Sequence, residues 1–584
     1  IPNAGKIEKI LLHKESVGAV KYVIAAKGIY AVYEKNGVDT IVTLVSYERL
    51  ECADLFLFDD AVYSFCNGKL YKFKNLAAED VLTAGTAKIP EVSISRNPDG
   101  TGGVSLEGVN LLTTKRTFSF LGNDTDKEYS LVPQKLTESD FYKYIVAGSI
   151  KVEVMNSDGE FETKTKDTDY TIGETKTLKG RDILGNTVDF VVCAPKITFK
   201  AAHKPVVTGQ DNVKITFENF DATEDHKETI GGVETIIYKG QYKESRVDLL
   251  KTSITKAYGY STTDRIFAVG GVKKNRVYYT GINDPTYWPD NNYFVAGQDG
   301  NDIVGLHAYS SYLAVIKGDT NTETTVYLSY GQTLEGETYF AMGGAGGIAT
   351  KTFATLGDDP LFLTRNGVFA ITNVFATTDN VLRNRSYYID KKLINEPNLE
   401  NACSVVWKRY YLLAVNGHCY VLDGRQKSND VNNTTNYSYE CYYWENIPAT
   451  CFFEYENELW FGTAEGVLCK FNTDITDKTA YCDDGTVYVT EIGDKILTGG
   501  VAIPCRWSTP LDDDGAPQYF KTLNKKGSLL TLLPYDRTSA EVTLIADGER
   551  EYPLGIFFAD IFSWDPVDFD RFTFSSNETA QDDF

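Results

Sequence analysis

The sequence predicts an all-β chain: a β-propeller of about seven blades with a β-sandwich platform domain inserted into it. Three observations carry this reading. Tyr and Phe number 38 and 31 against 2 Met, and aromatic and β-branched residues suit a pleated, half-buried surface better than a helix. An apolar hairpin led by glycine recurs along the chain, and self-similarity of this kind marks repeat architectures. Between Phe73 and Arg265 the rhythm disappears, which signals an insertion.

The repeat is a strand, a short polar turn carrying Gly, and a second strand. It reads Gly28-Ile29-Tyr30-Ala31-Val32, Gly68-Lys69-Leu70-Tyr71-Lys72-Phe73, Gly367-Val368-Phe369-Ala370-Ile371, Gly417-His418-Cys419-Tyr420-Val421 and Gly466-Val467-Leu468-Cys469-Lys470-Phe471, each preceded by an apolar, aromatic run. Glycine supplies the positive φ that a tight hairpin needs. With further strand pairs at 265–281 and 303–330, units begin near residues 20, 55, 265, 303, 359, 402 and 449. Seven units lie within the usual range for propellers.

Four segments follow: 1–95 as the first blades, 96–245 as the inserted sandwich, 246–500 as the remaining blades, and 501–584 as a last β region that closes or flanks the propeller. The insertion reads as short strands separated by turn clusters such as Asn97-Pro98-Asp99-Gly100 and Asn156-Ser157-Asp158-Gly159, the pattern of a sandwich. A helix is expected over Arg246 to Lys256, where Val247, Leu249, Leu250 and Ile254 recur at helical spacing.

Charge narrows the function classes. With 81 acidic against 58 basic residues the formal charge is −23, the wrong sign for a surface that grips nucleic acid by neutralising phosphates. No apolar run approaches the ~18–20 residues of a membrane span, and no basic segment followed by an apolar stretch opens the sequence. A soluble chain without a standard export signal is expected. The ten Cys contain no C-x-x-C pair, so they are read as mostly free, buried thiols, with Cys66, Cys403, Cys419 and Cys469 inside apolar strands.

Nothing in the sequence assembles a catalytic or metal centre, so no catalytic, cofactor or metal residue is assigned. His13, His203, His226, His307 and His418 are isolated from one another. The run Gly343-Gly344-Ala345-Gly346-Gly347 lacks the Lys-Ser/Thr ending of a phosphate-binding loop. Asp512-Asp513-Asp514 and Asp299-Gly300-Asn301-Asp302 offer oxygen ligands, but neither matches a calcium-loop pattern. Paired carboxylates for glycoside hydrolysis need only meet in space. The S-x-D-x-G-x-x-W/F box of sialidase-like propellers is absent; Ser157-Asp158-Gly159 has the wrong spacing. Six Trp could stack on sugars, yet Trp407 and Trp460 alternate with apolar neighbours as core residues do.

Three stretches resemble tail proteins of short-tailed bacteriophages. In the insertion, residues 110–124 read NLLTTKRTFSFLGND, followed by Val152-Glu153-Val154, Asp169-Tyr170-Thr171-Ile172, Ala194-Pro195 and Asp211-Asn212-Val213-Lys214-Ile215-Thr216-Phe217. This order is similar to a virion β-sandwich module, with a longer stretch between Pro195 and Asp211. Asp264-Arg265-Ile266-Phe267, Asn275-Arg276-Val277-Tyr278-Tyr279 and Asn283-Asp284-Pro285-Thr286-Tyr287-Trp288-Pro289 resemble propeller strands of the tail nozzle or tail hub (tail tubular protein B-like) family. Gly527-Ser528-Leu529-Leu530-Thr531-Leu532, then Asp560-Ile561-Phe562-Ser563-Trp564 and Asp568-Phe569-Asp570-Arg571-Phe572-Thr573-Phe574, resemble its C-terminal segment.

The resemblance implies a non-enzymatic structural virion protein that forms the nozzle or hub ring at the end of the DNA ejection channel. It also implies a ring of copies of itself, often six, that contacts the portal, adaptor and other tail proteins, lets genomic DNA pass without sequence-specific binding, and is assembled in the host bacterial cytoplasm. Two alternatives stay open: a receptor-binding or glycan-processing tail protein with a site on the propeller face, and a bacterial propeller serving as an interaction platform.

Overall fold

The computed structural model describes residues 1–51, 53–132, 144–201, 209–259, 264–309, 312–319, 325–330, 339–342, 345–373, 380–430, 433–471, 538–546 and 550–559. The chain divides into two compact units, Ile1–Thr473 and Asp474–Phe584. Strands dominate the described residues of both. In the first unit, seven small antiparallel sheets follow one another among the described residues, each with its strands in sequence order. They span 7–46, 56–80, 254–295, 303–342, 354–384, 403–444 and 451–470; the last has three strands and the others four.

The second strands explain why these segments read as unbroken apolar runs. Ala61–Cys66, Ile266–Val269, Tyr312–Lys317 and Asp359–Thr364 are buried at every position, the pattern of a strand covered on both faces. Alternate residues of one strand serve different neighbours. In Gly18–Ala25, Tyr22 and Ile24 pack with Val62 and Phe73 of the second sheet, while Val23 and Ala25 pack with Cys451 and Phe453 of the seventh. Ile266 and Ala268 join Tyr63 and Phe65, whereas Phe267 and Val269 join Leu313 and Val315. Ala314 and Ile316 meet Phe362; Leu361 and Leu363 meet Tyr411 and Leu413; Leu412 meets Leu459. Every sheet therefore shares a core with the next, and the seventh shares one with the first. In the outer strand Val38–Ser46, residues 40–44 alternate between half-buried and exposed.

The turns follow from sequence. Asn67-Gly68 and Asn416-Gly417 take positive φ at both residues (49° and 74°, 52° and 79°), the geometry whose twist matches a two-residue hairpin and which Asn-Gly adopts at least cost.

Between the second and third sheets lie two sheets of another kind. Ten strands from Glu91–Arg96 to Val233–Gly240 form a mixed sheet, and Glu128–Ser130, Lys196–Phe199 and Tyr170–Ile172 form a three-stranded one. Phe118, Phe120, Val152, Ile215 and Phe217 from the large sheet share one core with Tyr129, Tyr170, Ile197 and Phe199 from the small one; within the large sheet, Val213–Ile230, Tyr144–Val146, Thr187–Cys193, Thr175–Arg181 and Val233–Gly240 pair in a closed circle, so the insertion holds a five-stranded barrel where a plain sandwich is expected. The residues quoted for the virion resemblance lie here. Asn212 fastens the turn after Phe120, accepting from the Gly122 amide at 2.6 Å and donating to its carbonyl at 3.0 Å.

The helix expected over 246–256 instead spans Glu244–Leu250. Just past its end Thr252 returns its hydroxyl to the Leu249 carbonyl at 2.7 Å. The β-branched segment Ile254–Ala257 then pairs with Ile266–Val269 as the first strand of the third sheet. Asp54 accepts from both the amide (2.7 Å) and hydroxyl (2.9 Å) of Thr255.

In the unit Asp474–Phe584 the described residues form one antiparallel hairpin, Thr538–Ala546 with Arg550–Ala559. Asp512-Asp513-Asp514, His203, Trp507, Trp564 and the motifs at 527–537 and 560–574 lie outside the described residues.

Candidate functional site

Among the described residues the sequence candidates stay apart. His13 faces the Asp60 carbonyl, His226 lies between Asp225 and Glu228, His307 bonds Thr355, and His418 bonds Glu396. No group of three or more His, Cys, Asp or Glu able to hold a metal occurs among the described residues. Asp299 and Asn301 spend their side chains on the Lys274 amide and the Gly318 carbonyl, as turn residues do. Trp288 is buried and donates its indole N–H to the Pro285 carbonyl at 2.9 Å. The Cys66, Cys193, Cys403, Cys419 and Cys451 thiols are free and buried; burial pushes the Cys66 thiol up to about 12, far from the range of a nucleophile.

A cleft of about 700 Å³ lies where the inserted sheets meet the third small sheet. Asn110 anchors this junction. Its amide donates to the carbonyls of Lys88 and Thr286 at 2.8 Å, and its oxygen accepts from the Trp288 amide at 3.0 Å. The walls come from four strands of the insertion, the helix Glu244–Leu250 and the turn before Arg276.

Two polar residues reach the cleft because core-facing strands run past the end of their core. In Lys115–Phe120, Arg116 shares a face with Phe118 and Phe120; in Val213–Ile230, Asn219 follows Val213, Ile215 and Phe217 on the buried face. Arg116 is paired with Phe217, so Arg116 and Asn219 are diagonal neighbours on one face. Gly240 takes φ +61°, and a Cβ there would sit 2.6 Å from the Arg181 carbonyl oxygen. This close approach brings Gln241 over the strand end, where its amide donates to that same carbonyl at 2.8 Å.

Seven cationic side chains line the cleft against four carboxylates, the reverse of the chain's overall balance. Some cations are matched. Arg181 pairs with Asp225 at 3.1 Å and stacks over Tyr242, and Arg276 bonds the Tyr278 hydroxyl, itself a donor to Asp248. Arg246 is 2% exposed, and the hydrogen bonds to its guanidinium run to the carbonyls of Leu111 and Gln241 at 2.5 and 2.6 Å. Burial and the Arg116 charge lower Arg246 to about 10. Lys243 is also lowered by burial; Asp290 at 3.0 Å opposes the shift, while Arg116 and Arg246 reinforce it. Asn219 is 7% exposed, and neither atom of its amide has a hydrogen-bond partner.

Sequence reasoning missed this cleft. Its signals were an Arg and an Asn in register with apolar core positions.

The class that fold and site define is an all-β, multi-sheet protein with a polar cleft at the base of an insertion. No family model and no curated protein matches the chain. Among solved structures, it is similar to the extracellular domain of a one-component system from B. thetaiotaomicron (11% identity, 81% of this chain and 39% of that one, TM-score 0.22). It is likewise similar to the computationally designed Ika8 protein (10% identity, 80% and 96%, TM-score 0.32) and to the phage phi92 endosialidase (9% identity, 99% and 88%, TM-score 0.25). The chain thus spans about two fifths of the length of the first of these.

Proposed function

We propose that the seven sheets are the blades of one β-propeller, that the sandwich between the second and third is a platform inserted into it, and that the protein is a structural component of a phage tail. The observation that carries the reading is the succession of shared cores that returns from the seventh sheet to the first. Such closure leaves a rigid body whose insertion can meet neighbouring subunits. Support for the tail assignment is the order of the motifs at 110–217 and 264–289, which resembles the nozzle and hub family. The role is non-enzymatic: copies form a ring, six in number, below the portal and adaptor. The acidic charge of −23 lets DNA pass without sticking. A ring of identical heterologous contacts needs no other component to close.

Native mass spectrometry of the purified chain tests the ring. Six-chain assemblies are expected in the micromolar range; a monomer at every accessible concentration contradicts it. A second reading, glycan binding, is favoured by Tyr442 and Trp444, each 38% exposed and two residues apart on one strand, an arrangement suited to stacking. Glycan-dependent quenching of Trp fluorescence that Trp444→Ala abolishes would move the assignment there.

A further inference from the structure

We propose that Asn36, in the Asn36-Gly37 turn of the first sheet, is a site of spontaneous deamidation, and that the fold protects the other Asn-Gly pairs of the chain from the same modification.

The sequence offers four candidates: Asn36-Gly37, Asn67-Gly68, Asn366-Gly367 and Asn416-Gly417. The chemistry open to each is the same. The backbone nitrogen of the glycine attacks Cγ of the asparagine, a C–N bond forms, the Cγ–Nδ2 bond breaks, and Nδ2 leaves as ammonia with the proton of the glycine amide. Water then opens the cyclic imide at either carbonyl and leaves aspartate or its β-linked isomer. The glycine has no Cβ to hinder the attack, so differences in rate among the four arise from the folded structure.

Turn geometry does not separate three of them. At Asn36-Gly37, Asn67-Gly68 and Asn416-Gly417 both residues take positive φ (55° and 78°, 49° and 74°, 52° and 79°), and a Cβ at each glycine would meet open space. The asparagine side chains do separate them. Asn67 accepts from the Glu51 amide at 3.1 Å and donates to the Arg49 carbonyl at 3.2 Å, and Asn416 donates to Glu396 at 3.0 Å and to the Pro397 carbonyl at 2.7 Å. Swinging either side chain onto the next amide costs those bonds. Asn36 is exposed, and its side chain makes no hydrogen bond among the described residues. The fourth pair is closed on the side of the glycine. Gly367 is buried and paired with Thr364, and a Cβ there would run into the Asp390 carboxylate and the Ser386 hydroxyl.

The modification bears on the first sheet. Lys35 pairs with Val38 and Glu34 with Asp39 across this turn, so the extra backbone carbon of the β-linked isomer falls where a two-residue loop sets the register. Isomerisation therefore loosens the outer strand Val38–Ser46. The proposal stands apart from the tail and glycan readings.

The test is incubation of the full chain in mildly alkaline buffer, with peptide mass spectrometry following all four asparagines, and a parallel incubation in concentrated guanidinium chloride. In the folded chain Asn36 should deamidate roughly tenfold or more faster than Asn67, Asn366 and Asn416, the factor that breaking one or two anchoring hydrogen bonds imposes. In denaturant the four rates should converge. Equal rates in the folded chain overturn the proposal, as does faster loss at any of the other three. A lead of Asn36 that persists in denaturant also overturns it, because the cause would then lie in the local sequence. In the isomerised fraction hydrogen exchange should quicken over Val38–Ser46; unchanged exchange there would overturn the structural consequence.

Discussion

His307 shows how a single side chain is committed by its surroundings. It is 4% exposed, its Nε2 meets the Thr355 hydroxyl at 2.9 Å, and its Nδ1 has no partner. Burial, reinforced by the Lys256 charge, lowers it to about 3. The sign of the pH effect follows. Below its ordinary value of 6.5 the unfolded chain binds a proton there and the folded chain does not, so stability falls as pH drops from about 6.5 toward 3, by about 1.4 kcal/mol per unit. Chemical denaturation across that window should show the slope, and His307→Gln should flatten it; an unchanged slope in the variant would place the proton elsewhere. The isolation of His307 from the other histidines was legible in the sequence. Its burial was not, because His-Ala-Tyr within Ile303–Tyr309 reads as an ordinary mixed strand until the fifth sheet is laid against it. Asn219 and Arg116 were hidden for a related reason: each occupies a core-facing position two residues beyond the last core residue of its strand, Phe217 and Phe118 respectively.

At the scale of elements, the hairpins were the most legible part. Asn-Gly or Gly between two apolar runs specifies the turn and its register locally, and all five quoted repeats lie at strand-turn-strand units of the small sheets. The turn at Asn416-Gly417 gives a direct test. Gly417 takes φ +79° and a Cβ there would meet open space, so backbone strain alone should set the cost. Gly417→Val should destabilise by about 1–3 kcal/mol, and Gly417→Asn by less, because Asn tolerates the left-handed region. Urea unfolding midpoints would separate the two. The helix before the third sheet was placed too far along because Ile254 continues the helical spacing of Val247 and Leu250. Pairing of Ile254 with Val269 overrides that period, and such long-range pairing leaves no mark in a local window. The cleft was invisible for the same reason: positions 116, 219, 243 and 246 meet only once the insertion has folded onto the third sheet.

Across the whole of the first unit, the decisive joint is where the beginning of the chain meets the seventh sheet. The Ile7 amide donates to the Thr463 carbonyl at 3.0 Å, its carbonyl accepts from the Thr450 hydroxyl at 2.5 Å, and its fully buried side chain fills the space beside Gly462, where a Cβ would lie 2.6 Å away. Ile7→Ala should cost about 2–4 kcal/mol. Hydrogen exchange should show protection lost first in the first and seventh sheets if this contact closes a ring; loss confined to the first sheet would mean that the two are not coupled. The tail assignment lives at this scale as well, since it depends on what the rigid body assembles with. The measurement that tests it most directly is immunogold electron microscopy of particles from the producing culture, with antibody raised against residues 110–217. Label on the axis of a short tail, at its tip or centre, is the predicted result; particles that carry no label would contradict the account.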